Sequence, residues 1–219
     1  MRREALARTR ESWHRLAEHI LAAGQFAAAG TIRLRPSPGG FRTAVGVDGR
    51  TLAVAGDRLV VETDGDSRSA ALTTLGAAAA FAGVDLGLTG SYPPATTPEA
   101  EALLEVDPAA ARLLAGWFEL GDLALRRFTE GLGAPQIPVL WPEHFDVAVT
   151  VDAVIYGCSP GDDTIPQPYL YVGPPETPAS GDPFWNAPFG AVAMADRIAD
   201  ADAAVAFFEK GRRLTGRAG

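Results

Sequence analysis

VLWPEHFDVAVTVDAVIYGCSPGDDTIPQPYLYVGP, residues 139–174, is the stretch whose reading decides the fold. Phe145, Val147, Val149, Val151, Ala153 and Ile155 alternate with His144, Asp146, Ala148, Thr150, Asp152, Val154 and Tyr156. Period-two alternation is the signature of a strand with one face on a core, so the spacing predicts one long strand ending at Gly157. Ser159-Pro160-Gly161-Asp162 reads as a tight turn, and Pro166-Gln167-Pro168 leads into a short strand over 169–172. The same stretch holds the single cysteine, one of three histidines and a Tyr-x-Tyr pair.

Working outward, residues 30–70 also run with a period of two. TIRLR, RTAVGV, RTLAVA, RLVVET and SRSAAL are separated by Ser-Pro-Gly-Gly, Asp-Gly, Gly-Asp and Asp-Gly-Asp. Asp-Gly between alternating runs marks a hairpin, because both turn positions need positive φ, so four or five meander strands are expected. Residues 3–28 carry Leu6, Trp13, Leu16, Ala17, Ile20, Ala23 and Ala27 at helical spacing, with Glu4–Arg8 and Glu11–Arg15 as exposed i,i+4 pairs. On that helix His14, Glu18 and His19 read as solvated side chains. Thr73 or Thr74 caps a short helix that stops at Gly83, Asp107-Pro108 opens a long one, and Asp200 caps a last one. The fold class is therefore α+β, an antiparallel meander sheet packed against long N-terminal, central and C-terminal helices. A single domain over 1–219 is expected, and if it has halves they are 1–86 and 98–219, joined by the loop 87–97.

Composition excludes several functions. A net charge of −8 argues against nucleic acid, whose phosphates need a basic face. The longest apolar run is Ala-rich and too short to span a bilayer, and the charged N-terminus lacks the apolar core of a signal peptide, so a cytoplasmic location without membrane contact is expected. Cys158 has no cysteine partner, which removes intramolecular disulfides and multi-cysteine zinc.

Three constellations could carry chemistry. Gly157-Cys158-Ser159-Pro160-Gly161 matches the nucleophile-elbow spacing, but the breakers after it forbid the helix an elbow needs, and all three histidines precede Ser159. His144 and Asp146, two apart on one strand face, could join Asp162 around a divalent cation. Trp141, Tyr156, Tyr169, Tyr171 and Trp185 could wall a small-molecule cleft, Trp185 standing in the Pro-rich segment 174–188.

The runs Trp-Pro-Glu-His-Phe-Asp (141–146), Gly-Cys-Ser-Pro-Gly-Asp (157–162) and Pro-Tyr-Leu-Tyr (168–171) resemble an uncharacterised bacterial, actinobacterial-type family. That family carries Trp-Pro-x-His-Phe-Asp, Ser-Pro-Gly-Asp and Pro-Tyr-x-Tyr motifs. Cys158 stands where the family pattern has an aromatic residue, and the resemblance brings no activity, ligand or catalytic residue with it.

The expectation is a small-molecule-binding domain with a cleft near 141–146 and 159–171. Its ligand contacts would come from Trp141, His144, Asp146, Ser159, Asp162, Tyr169, Tyr171 and Trp185. The competing readings are a metal-assisted, hydrolase-like enzyme using His144, Asp146 and Asp162, and a structural or partner-binding protein. No cofactor is implied by any motif.

Overall fold

A computed structural model describes residues 3–176 and 181–216, so part of the segment 174–188 lies outside the described residues. The chain is α+β, with every paired strand antiparallel to its neighbour. It forms two compact units, one of residues 1–116 and 140–145, the other of 117–139 and 146–219. Residues 87–97 lie wholly within the first.

The first unit opens with one unbroken helical rod. Its parts are α1 (Arg3–Leu16), a π-helical segment (Ala17–Ala22) and α2 (Ala23–Ala29), which stops at Gly30 in the left-handed conformation. The five meander strands follow: β1 (Leu34–Ser37), β2 (Gly40–Thr43), β3 (Thr51–Ala55), β4 (Arg58–Thr63) and β5 (Asp66–Ala71). The short α3 (Leu75–Ala82) is capped by the Thr74 side chain and stopped at left-handed Gly83. A short β6 (Val139–Trp141) pairs with β1 through Leu140 and Leu34, so the strand order here is β6-β1-β2-β3-β4-β5. Trp13, Phe41 and Phe145 meet edge to face, with centroids 5.7 and 5.4 Å apart. The Trp13 indole donates to the Gly56 carbonyl at 3.1 Å, which satisfies its one polar atom inside the core.

The helix α4 (Pro108–Gly131) begins in the first unit, with the Asp107 carboxylate accepting from the Ala109 and Ala110 amides, and continues in the second. The second unit holds β7 (Asp146–Val151), β8 (Val154–Ser159), β9 (Tyr169–Gly173), β10 (Ala191–Met194) and α5 (Ala201–Leu214), with strand order β10-β9-β8-β7. Two glycines let its helices approach the strands: a Cβ on Gly121 would fall 2.6 Å from the Cys158 Cβ, and one on Gly211 2.8 Å from Val172. Phe128, Tyr156 and Phe208 form the aromatic centre.

The long strand expected over 145–156 is a hairpin instead. Asp152 (φ 50°) and Ala153 (φ 62°) form a two-residue turn of left-handed conformation, and β7 pairs with β8 as Val151↔Val154, Val149↔Tyr156 and Val147↔Cys158. Residues directly opposite share a face, so odd positions before the turn match even ones after it. Tyr156 is therefore fully buried and Ile155 is 43% exposed, the reverse of the single-strand reading. Arg212 reaches Asp152 at 2.6 Å and holds the turn. Among the described residues no helix is long and apolar enough to cross a membrane.

Candidate functional site

Within the second unit, five of the expected site residues come together. Tyr169 and Tyr171, two apart on β9, project to one face, with ring centroids 6.2 Å apart. Gly157 on β8 lies opposite Tyr171, and its missing side chain leaves room for the ring. The tyrosine thereby reaches past β8, and its hydroxyl donates to the carboxylate of Asp146, the buried first residue of β7. The Tyr169 hydroxyl donates to Asp162 at 2.6 Å, and the other Asp162 oxygen accepts from the Thr164 and Ile165 amides at 2.7 Å each. Burial, and then the facing carboxylates, push both phenols well above their ordinary range, so they are donors at any physiological pH. Ser159 is buried, its hydroxyl accepts from the Gly161 amide, and no helix follows it.

The other three expected residues lie elsewhere. Trp141 is half-buried on β6 beneath the Arg33 guanidinium, 5.7 Å from the ring centre. Trp185 sits edge-on to Phe184, with its indole nitrogen buried and without a partner among the described residues. His144 does not share a strand face with Asp146. It is exposed in the turn before β7, and Phe145 between them has φ 52°, which breaks the alternation that would have aligned them. Among the described residues no three His, Cys, Asp or Glu side chains converge as metal ligands must.

Cys158 is fully buried, its thiol donates to the Trp117 carbonyl at 3.3 Å, and burial followed by Asp146 pushes its pKa well up. A thiolate, not a thiol, attacks alkylating agents. Iodoacetamide should therefore label the native chain at least roughly a thousandfold more slowly than the unfolded chain, since access requires opening of the core. Comparable rates by mass spectrometry would contradict this burial.

The first unit contains a polar cluster that the sequence reading placed in solvent. Glu18, in the π-helical segment, is completely buried. Its carboxylate accepts from the Tyr92 hydroxyl (3.1 Å), the Ala95 amide (2.9 Å), the Thr96 amide (2.8 Å) and the Thr96 hydroxyl (2.6 Å). His14 and His19 approach the same carboxylate at 3.7 and 3.9 Å. The His14 ring stacks on Phe145 and donates from Nε2 to the Pro142 carbonyl at 2.7 Å. His19 donates from Nε2 to the Thr96 carbonyl at 3.0 Å, while its Nδ1 is buried without a partner among the described residues. A carbonyl can only accept, so both neutral rings carry their proton on Nε2. Burial lowers the pKa of both histidines below the usual value, partly offset by Glu18 and by the backbone acceptors.

Beside this cluster an open groove of about 710 Å³ lies among α2, α3 and residues 47–48 and 83–89. Gly24, Ala27 and Ala28 on α2 and Ala79, Ala80 and Gly83 at α3 line it; a Cβ on Gly24 would fall 2.8 Å from Val84, and one on Gly83 3.0 Å from the Arg50 guanidinium. Val47, Val84 and Leu88 supply apolar wall, and Asp48 and Asp85 are the acidic residues of the lining. Asp85 is exposed, whereas Asp48 has Arg50 at 3.7 Å. Comparison with protein-family models, with curated proteins and with solved structures finds no match to the chain.

Proposed function

We infer that the chain binds a small molecule, and that the groove of the first unit takes it. The observation that carries this reading is the groove itself, a volume of about 710 Å³ lined by small residues of two helices together with Val47, Val84, Leu88, Asp48 and Asp85. Sites for small molecules typically have about 300–1,000 Å³, apolar walls and a few placed polar groups. The ligand class follows from the lining. An apolar body would lie on Ala27, Ala80, Val84 and Leu88, and a basic nitrogen would face Asp85 and Asp48. Relative to the sequence expectation, the ligand class stays a small molecule and the place moves to the groove.

Fluorescence titration with dansylcadaverine, an amine on a flat apolar body, tests the reading against a dansyl carboxylate of similar size. The amine should bind with Kd on the order of 10 µM, and the anion about fivefold more weakly, because two exposed carboxylates contribute roughly 1 kcal/mol. Ala27 is exposed, so Ala27→Trp should leave the fold intact while filling the groove and abolishing binding. Binding that survives Ala27→Trp, or no binding of either probe, would overturn the assignment.

A further inference from the structure

We propose that residues 87–97 are a strap along the groove that protonation of His19 releases, so that mild acid removes one wall of the proposed binding site. The proposal rests on the small-molecule reading for its consequence, but the strap can be tested without any ligand.

The geometry links groove and cluster through one segment. Gly87, Leu88 and Thr89, at one end of the strap, line the groove. Ala95 and Thr96, at its other end, hang on Glu18, as Tyr92 does between them. Both ends are fixed to the same π-helical residues: the Gly87 amide donates to the His19 carbonyl at 3.2 Å, and the His19 ring donates to the Thr96 carbonyl. A π-helical turn carries one more residue than an α turn and is a recurrent feature of functional sites. Gly87 (φ 102°) and Gly90 (φ 78°) hold the positive angles at which a strap can swing without side-chain strain.

His19 is the member of this fastening that cannot take a proton in place. Its Nε2–H is committed to Thr96, and its buried Nδ1 faces no acceptor among the described residues, so a second proton would create a buried cationic N–H with none of them to receive it. The charged and titratable groups around it are Glu18, Arg15 and His14 on the helical rod, with Arg10 acting on His14. Tyr92 faces from the strap, and Glu143, from the turn after β6, acts on Tyr92. Glu18 favours the imidazolium, but burial outweighs it, which agrees with the lowered pKa.

The sign of the effect is fixed by linkage. With the strap closed the pKa of His19 is depressed, and with it open the ring returns to about 6.5. Closure is therefore fully favoured above about pH 6.5. It weakens by up to about tenfold per pH unit as pH falls from there toward the closed-state value.

Amide hydrogen exchange read by mass spectrometry tests this on the intact chain. Protection in 87–97 should fall severalfold, by at most about tenfold, between about pH 7.5 and pH 5.5, after correction for intrinsic exchange, while β3 and β4 keep theirs. In His19→Gln, whose amide can still donate to Thr96, strap protection should be the same at both pH values. Unchanged strap protection in the wild type, or equal loss in strap and strands, would overturn the proposal whether or not the variant folds. Dansylcadaverine separates the two readings. A strap that opens in acid on a chain that never binds the probe removes the groove and leaves the strap. Probe binding beside a strap that ignores pH removes the strap alone.

Discussion

Glu18→Ala is expected to destabilise the fold by about 3–5 kcal/mol, a large share of the roughly 5–15 kcal/mol that holds a domain together. The carboxylate accepts four hydrogen bonds inside the first unit, two of them from backbone amides. The Tyr92 and Thr96 hydroxyls can turn to other acceptors. The Ala95 and Thr96 amides cannot, and each buried unpaired donor costs about 1–3 kcal/mol. Loss of packing around a completely buried side chain adds to this. Glu18→Gln keeps the shape but aims an NH2 group at donors, so about 2 kcal/mol is expected there. Urea unfolding gives both values, and the alanine variant should melt roughly 10 °C lower than the parent. A change within about 0.5 kcal/mol, typical of surface positions, would mean that Glu18 is solvated after all.

The second large effect belongs to Gly157→Ala. Gly157 has no positive φ, so alanine suits its backbone, and any cost comes from the ring of Tyr171 lying where the new Cβ must go. Overpacking of this kind costs about 1–3 kcal/mol, and moving the ring also disrupts the hydrogen bond to the buried Asp146. A total of about 3 kcal/mol or more is expected. A double-mutant cycle isolates the cause. With Tyr171→Ala already present, Gly157→Ala should cost little, giving a coupling of about 2 kcal/mol. Additive costs in the cycle would show that the clash is not with Tyr171.

Much of the architecture was legible because its causes are local. Asp48-Gly49 and Gly56-Asp57 fall at meander turns, and Thr74, Asp107 and Asp200 each accept amide hydrogen bonds at a helix start. The hairpin at Asp152-Ala153 was not legible. It contains no glycine, and the apolar alternation runs through it without a mark; its turn is held by Arg212, sixty residues away. In the second unit, Tyr169 and Tyr171 hydrogen-bond to Asp162 and Asp146, residues named from the sequence as ligand contacts, but here they bind one another.

The histidine cluster failed to show for a different reason. On a regular helix Glu18 lies roughly opposite the stripe of Trp13, Leu16 and Ile20, which is where a solvated carboxylate belongs. It is buried because the strap 87–97 covers that face, and a contact across some seventy-five residues leaves no periodicity to read. The only hint was weak: a loop of this length inside a compact domain is commonly functional. The groove was equally silent, since the alanines in its lining look in sequence like ordinary helix formers.

The division of the chain has a consequence for how the protein is made. The first unit is not a continuous piece, because its β6 and the turn bearing Pro142, Glu143 and Phe145 come from residues 140–145, after part of the second unit has been synthesised. A nascent chain emerging from the ribosome at about 5–20 residues per second therefore waits with β1 unpaired on one side and His14 lacking both its acceptor and its stacking partner. Only when Phe145 clears the exit tunnel can the Trp13–Phe41–Phe145 core close. Until then the open flank of β1 is a surface that chaperones, or a neighbouring nascent copy, would meet first.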